Sequence, residues 1–344
     1  MKKLFIIASV IAVLAACEQV RTADPVVCDG MAEFTVNVQV DGVPVTRGSS
    51  TTDVTYEKQL NSVQVAVFDG TALAGYQTVT GTSATFSLRT GKTYTAAVVA
   101  NGPTISGKTT LSAVESTATA LGTHNSTTAS TGMVMYGKNT MSSALTSAGG
   151  SVSVAISRLV CRVNLVSVTV TPPTGVTAGD NYKFTNAFLS NVATNCSLSG
   201  TVTLNSSDGN YSNWFGRATL GTKTSIIDGS TGKKAFPETL TYSTSSTAKF
   251  YSYANSNTDA VTAYKTSWEA TATRLVVTAK WNGTTYYYPV PIPQTQANYT
   301  YDVKMTITGP GIDDPQGPIP SKANLNVTIT VNPWTAGSEY NVTY

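Results

Sequence analysis

Phe34-Thr35-Val36-Asn37-Val38-Gln39-Val40 alternates apolar and polar residues without a fault, and Leu325-Asn326-Val327-Thr328-Ile329-Thr330-Val331 does the same near the other end. A period of two is that of an extended strand, whose successive side chains point to opposite faces. Phe34, Val36, Val38 and Val40 therefore share one face, as do Leu325, Val327, Ile329 and Val331. Either segment suits the same strand-shaped groove of a β-sandwich. Two near-equivalent strands for one kind of groove constrain this chain more than any other feature of it.

The same period recurs between them. Val63 to Val67 runs into the turn pair Asp69-Gly70, Thr85 to Leu88 into Gly91, and Tyr94 to Ala100 into Asn101-Gly102-Pro103. Ser151 to Ile156 alternates, and Arg162 to Val170 stops at Pro172-Pro173. Leu275 to Lys280 and Thr285 to Val290 flank Asn282-Gly283, the preferred pair for a two-residue hairpin turn. One segment reads as helix: Leu111 to Glu115, in which Ser112 and Glu115 have the spacing of a capping box. Charged residues are only 12% of the chain, and its Thr, Val and Tyr favour strands. The fold class is all-β. The 344 residues suffice for two domains, with a boundary in the region from Gly149-Gly150 to Val166. The Ser/Thr/Asn/Gly-rich span from Asn205 to Ala263 reads as long loops with a few strands.

The first residues stand outside this pattern. Lys2 and Lys3 precede an apolar run from Leu4 to Leu14, and Leu14-Ala15-Ala16-Cys17 follows. A basic head, a short apolar core and small residues before a cut form a bacterial secretion signal. The run is too short for a permanent membrane helix. Cys17 directly after Ala15-Ala16 is the pattern of a lipoprotein signal, with Cys17 lipidated and left as the new N-terminus.

Between the first alternating segment and the next strand lies Val43-Pro44-Val45-Thr46-Arg47-Gly48-Ser49-Ser50. Polar linkers of this kind are where proteolytic nicking concentrates, and Arg47-Gly48 suits an Arg-specific protease. A cut there releases the lipid and the first strand together. The sandwich then lacks a strand and exposes an apolar strip flanked by unpaired backbone groups. Leu325 to Val331 of a second molecule could fill it, and burying four such side chains is worth on the order of 6–12 kcal/mol. Each subunit would give a strand to one neighbour and receive one from another, a contact that does not close and so makes a filament.

Other chemistries find little purchase. The net charge of +3 is too small and scattered for nucleic-acid binding. Of Cys17, Cys28, Cys161 and Cys196, no two have CxxC spacing, and the single histidine, His124, has no motif around it, so neither a zinc site nor a catalytic triad is expected. No metal or other cofactor is called for. Cys161 and Cys196 are left open as a pair. Asp313-Asp314 sits in a turn-like Gly/Pro segment without the spacing of a calcium loop. Tyr286-Tyr287-Tyr288 with Trp214, Trp268, Trp281 and Trp334 could line a sugar-binding face, although strand packing accounts for such residues more simply.

Several of these residues carry a family resemblance. Tyr301-Asp302-Val303-Lys304-Met305-Thr306-Ile307-Thr308-Gly309-Pro310-Gly311, continuing through Leu325-Asn326-Val327 to Trp334, is its most specific part. Thr285-Tyr286-Tyr287, Gly107-Lys108-Thr109 and the stretch from Arg158 to Val163 add to it. The chain resembles the FimA-type major fimbrillins, the stalk subunits of type V pili. The resemblance implies two transthyretin-like β-sandwich domains in tandem, export as an outer-membrane lipoprotein, cleavage by an Arg-specific protease, and donor-strand exchange into a surface fimbrium that supports adhesion and biofilm formation. On this sequence it implies a signal peptide over 1–17, a propeptide over 18–47, and sandwich domains over 48–158 and 159–344. Donor strands fall at about 322–344. The implied partners are other copies of this chain, accessory anchor and tip pilins, and the protease; the implied role is structural, not enzymatic. A monomeric glycan-binding lipoprotein and an anchor or tip subunit are the alternatives.

Overall fold

The first alternating segment is a strand, β1 (Met31–Val40), and its side chains alternate between solvent and core as its sequence requires. The computed structural model describes residues 30–40, 57–121, 131–177, 179–193, 195–202, 214–215, 234–239, 241–256, 272–292, 294–315, 317, 324–334 and 340–343. The next strands are β2 (Val63–Asp69), β3 (Ala72–Val79), β4 (Ser83–Arg89), β5 (Tyr94–Ala100), β6 (Ala118–Ala120), β7 (Met135–Thr140) and β8 (Gly150–Arg158). β9 (Val160–Val170), β10 (Lys183–Ser190), β11 (Val192–Ala193), β12 (Asn195–Ser197), β13 (Trp214–Phe215), β14 (Lys234–Thr239) and β15 (Thr241–Tyr253) follow. The last are β16 (Arg274–Trp281), β17 (Thr284–Pro291), β18 (Tyr299–Ile307), β19 (Leu325–Pro333) and β20 (Tyr340–Thr343).

Three sheets carry the architecture. The first has the order β3-β2-β5-β7-β8-β1-β4, the second β14-β10-β16-β17 and the third β15-β9-β18-β19-β20. Only Leu159 separates β8 from β9, yet they belong to different sheets. A second link is made by β6 and β12, which pair antiparallel from Asn195↔Ala120 to Ser197↔Ala118. Thr119 Oγ1 and the Tyr253 hydroxyl lie 2.6 Å apart beside that pair. One apolar core runs continuously through these sheets.

The turn chemistry is as the sequence requires. β16 and β17 close at Trp281↔Thr284 around Asn282 (φ 48°) and Gly283 (φ 79°), the left-handed pair of a type I′ turn. Helix α1 covers Leu111–Glu115, but its cap is not the expected one. Thr110 is the N-cap, and its Oγ1 accepts from the Ala113 N–H at 3.1 Å. Glu115 does not close a capping box with Ser112. Its carboxylate instead reaches Lys138 Nζ at 2.6 Å and the Tyr136 hydroxyl at 3.2 Å, both on β7. A tertiary ion pair outbids the local cap, and Thr110, one step upstream of the helix, has the extended backbone that an N-cap needs.

Candidate functional site: the slot filled by the first strand

Strand β1 is not at an edge. It lies between β4, antiparallel from Met31↔Arg89 to Asn37↔Ser83, and β8, parallel from Phe34↔Gly150 to Val40↔Ile156. Phe34 and Val36 are fully buried, Ala32 and Val38 nearly so, and Val40 is half-buried. The walls of the slot are Ala84, Phe86 and Leu88 on β4 and Val152, Val154 and Ile156 on β8, all buried. The Phe34 ring packs 5.7 Å from that of Tyr94, inclined at 41°. At the slot's mouth the backbones come close: a Cβ on Gly149 would sit 3.1 Å from the Glu33 carbonyl oxygen. The ladder extends past the strand ends, with Val38 N–H donating to Thr82 O at 2.8 Å and Thr90 N–H to Gly30 O at 2.7 Å.

The sequence-predicted slot residues Phe34, Val36, Val38 and Val40 are thus brought together on one face. Cys17, Arg47, Gly48, His124 and Trp268 lie outside the described residues.

The other alternating segment is also engaged. Leu325, Val327 and Ile329 of β19 are buried and Val331 is half-buried. β19 pairs antiparallel with β18 along its whole length, from Tyr299↔Pro333 to Ile307↔Leu325. Its other side pairs with β20 from Thr328↔Thr343 to Val331↔Tyr340. β20 is the end strand of that sheet.

Sequence reasoning missed a buried charged cluster near both segments. Glu57, where the described chain resumes after β1, is completely buried. Its Oε2 accepts from Arg162 Nη1 at 2.7 Å, its Oε1 accepts from the Tyr251 hydroxyl at 2.7 Å, and Lys249 Nζ stands 3.8 Å from Oε1. Arg158 Nε donates to the Glu57 carbonyl at 2.7 Å. The Trp334 ring lies against this cluster, its centroid 4.6 Å from the Arg158 guanidinium carbon and 4.7 Å from that of Arg162. Tyr251 stacks parallel on it at 6.2 Å. One signal was present: Arg158 and Arg162 bracket the apolar run Leu159-Val160-Cys161, an unusual place for two cations in a weakly charged chain.

Among the described aromatic residues, Trp281, Tyr288 and Trp334 are buried in packing and offer no exposed sugar-binding face. Trp281 is buried edge-on against Tyr182, with ring centroids 5.1 Å apart at 84°. Tyr288 is buried and donates to Gly309 O at 2.9 Å. Trp334 is in the cluster just described. Strand β17 is covered on one side where Tyr287 and Ile312 exchange backbone hydrogen bonds of 2.8 and 3.0 Å, which also fixes the loop carrying Asp313-Asp314. Cys161 and Cys196 are both free and buried.

Residues 32–182 match the family model described as major fimbrial subunit protein (FimA). The Major fimbrium subunit FimA type-2 of Porphyromonas gingivalis is 41% identical over 69 residues, 15% of this chain and 18% of that protein. The Major fimbrium subunit FimA type-4 of P. gingivalis strain ATCC BAA-308 / W83 is 42% identical over 62 residues, 17% of this chain and 16% of that protein. The alignments thus span less than a fifth of these curated relatives. In fold, the chain is similar to a crystal structure of a fimbrilin (fimA) from P. gingivalis W83, with a TM-score of 0.60 and 20% identity, covering 88% of this chain and 97% of that one. The proteins of this family are structural subunits of fimbriae and not enzymes. With β1 from Ala32 onward and both walls of its slot inside the matched stretch, the chain is similar over these residues to the FimA family of major fimbrial subunits.

Proposed function

We propose that this chain is the structural subunit of a surface pilus, exported as a lipoprotein on Cys17, cut between Arg47 and Gly48 by an Arg-specific protease, and polymerised by donor-strand exchange. The observation that carries the reading is that β1 is an interior strand, flanked on both sides, yet it precedes Arg47 in the chain. A cut at Arg47 leaves β1 held by no covalent link to the rest. Its departure uncovers an apolar slot between β4 and β8 with two rows of unpaired backbone groups, a template for another strand. The only occupant that a filament of identical subunits can always provide is a strand of the next copy.

The C-terminal donor strands at about 322–344 supply it. Laid in the direction of β1, Leu325 takes the place of Phe34, and Val327, Ile329 and Val331 take those of Val36, Val38 and Val40. The polar residues between them then face outward, as Thr35, Asn37 and Gln39 do. The shorter piece from Glu339 to Tyr344 offers Tyr340, Val342 and Tyr344 at the same period. In this reading the mature subunit is two transthyretin-like β-sandwiches, 48–158 and 159–344, joined at Leu159. Other copies of the chain, anchor and tip pilins and the protease are its partners, and the filament serves adhesion and biofilm formation at the cell surface.

Purified precursor and its Arg47→Ala variant are treated with an Arg-specific protease and run unboiled on an SDS gel. The expected result is a new N-terminus at Gly48 and an SDS-resistant ladder for wild type alone. Clean cutting at Gly48 with the product still monomeric at high concentration would exclude strand exchange in this form.

A further inference from the structure

Trp334 follows directly on Pro333, the last residue of β19, and its seat is unusual for a core tryptophan. Two guanidinium groups stand against the ring, at 4.6 and 4.7 Å from its centroid, and the Tyr251 ring stacks parallel to it. Cations against an aromatic face are attracted by its quadrupole, the more so when desolvated. Arg158 and Arg162 are both nearly fully buried. The indole N–H, in contrast, is buried without a hydrogen-bond acceptor. A permanent core tryptophan usually satisfies that group, since leaving it orphaned carries a desolvation cost. The ring is therefore held firmly by its faces and poorly by its edge.

The backbone at the same point is tied by Asn298. The Trp334 N–H donates to Asn298 O at 2.8 Å, the Asn298 N–H donates to Val160 O at 2.9 Å, and Arg158 Nη1 donates to Asn298 Oδ1 at 3.0 Å. One jaw of the grip, Arg158, ends β8, the strand against which β1 lies. The other, Arg162, is fixed by Glu57. The end of β19 is thus gripped by Arg158, from the strand beside the slot, and by Arg162 of β9, which Glu57 in the segment beyond the linker holds in place.

We propose that Trp334, seated against Arg158 and Arg162, is the latch that sets how readily β19 leaves its own sheet. Its purpose rests on the strand-exchange reading; the hold itself is a property of the uncut chain and is measured there. A strand that must stay in place before assembly and leave during it needs a strong local clasp at one end. The pairing of β20 with β19 runs from Thr328 to Val331 and does not include Pro333 or Trp334.

Hydrogen exchange by mass spectrometry on full-length precursor tests this, with Trp334→Ala and Trp334→Phe beside wild type. Trp334→Ala is expected to speed exchange over residues 325–333 by tenfold or more, while β2, β5 and β16 stay within about twofold. Trp334→Phe, which keeps a ring against the arginines, is expected to fall between. Unchanged exchange over 325–333, or an equal rise in β2, β5 and β16, would overturn the latch: the first means no hold, the second a general loss of packing. The same samples are then cut with the Arg-specific protease. A faster SDS-resistant ladder for Trp334→Ala than for wild type supports the latch as a control on assembly. If no sample forms a ladder, strand exchange fails, and the exchange data on the uncut chain still decide the latch.

Discussion

Phe34 and Phe86 stand directly opposite each other across the antiparallel pair of β1 and β4, both with their rings in the core. Phe34 belongs to the strand that the proposed cut removes, and Phe86 to the wall that stays. Truncating Phe34 to alanine is expected to destabilise the uncut precursor by about 3–5 kcal/mol, the usual cost of emptying a buried phenylalanine site. Urea denaturation before and after cutting at Arg47 reads the difference. The loss should vanish once β1 has been released and washed away, because Phe34 is then absent from both proteins. A penalty that persists in the cut and purified subunit would mean that β1 stays bound.

The helix cap gives a sharper local test. Thr110→Ala removes the acceptor for the Ala113 N–H and is expected to cost about 1 kcal/mol. Ser112→Ala should change stability by less than about 0.5 kcal/mol, since Ser112 does not cap the helix. Paired denaturation curves separate the two assignments. An equal loss for both substitutions would restore the capping box read from the spacing of Ser112 and Glu115.

That example shows which parts of the fold were legible. Where one local interaction dominates, the sequence pattern translates directly: the Asn282-Gly283 turn, and the alternation of β1, β4 and β8, whose one face is buried and other exposed. β2 is buried along nearly its whole length and β3 largely half-exposed; β2 was found by the alternation from Val63 to Val67, and β3, which borrows its place from β2, was not. β6, β11 and β12 are too short to show any period. The slot was legible because it is a strand's own face. The cluster of Glu57, Arg158, Arg162, Tyr251 and Trp334 was not, because it gathers residues from four separate places in the chain, and only Arg158 and Arg162 are near one another in sequence.

Glu57 is the anion on which that cluster depends. Arg162 and Tyr251 both donate to its carboxylate, and Lys249 stands close by. Glu57→Gln keeps the shape and removes the charge, leaving two buried cations facing a neutral amide. Removing one partner of a buried ion pair typically costs about 3–5 kcal/mol. Thermal unfolding of the precursor should show a clear fall in Tm, larger than that for Glu115→Gln, whose partner Lys138 is half-exposed and whose pair is worth about 1 kcal/mol or less. Comparable small shifts for the two variants would show that Tyr251 and backbone groups, and not the charge, hold the cluster together.

The two internal thiols set an alkaline limit. Burial pushes Cys161 from its ordinary 9.0 up to about 12, against smaller opposing hydrogen bonds from Ser252, from its own backbone and from Thr295. Burial alone pushes Cys196 to about 12, although it lines a surface cleft with Glu115 and Ser197. The thiolate is the reactive form, so iodoacetamide at pH 8 should label neither residue in the folded chain and both after denaturation, read by peptide mapping. Between pH 9 and about 12 the unfolded chain has lost these protons and the folded chain still holds them. With fewer protons bound in the unfolded state, the slope of unfolding free energy with pH is negative. The stabilisation is full below pH 9 and is lost as pH climbs toward 12. Tyr253, Tyr288 and Tyr301, raised first by burial from 10.0, add to the same decline above pH 10. The urea midpoint should therefore fall steadily from pH 9 upward. Replacing Cys161 and Cys196 together by alanine should flatten the first part of that fall, and an unchanged slope in the double variant would assign it to other groups.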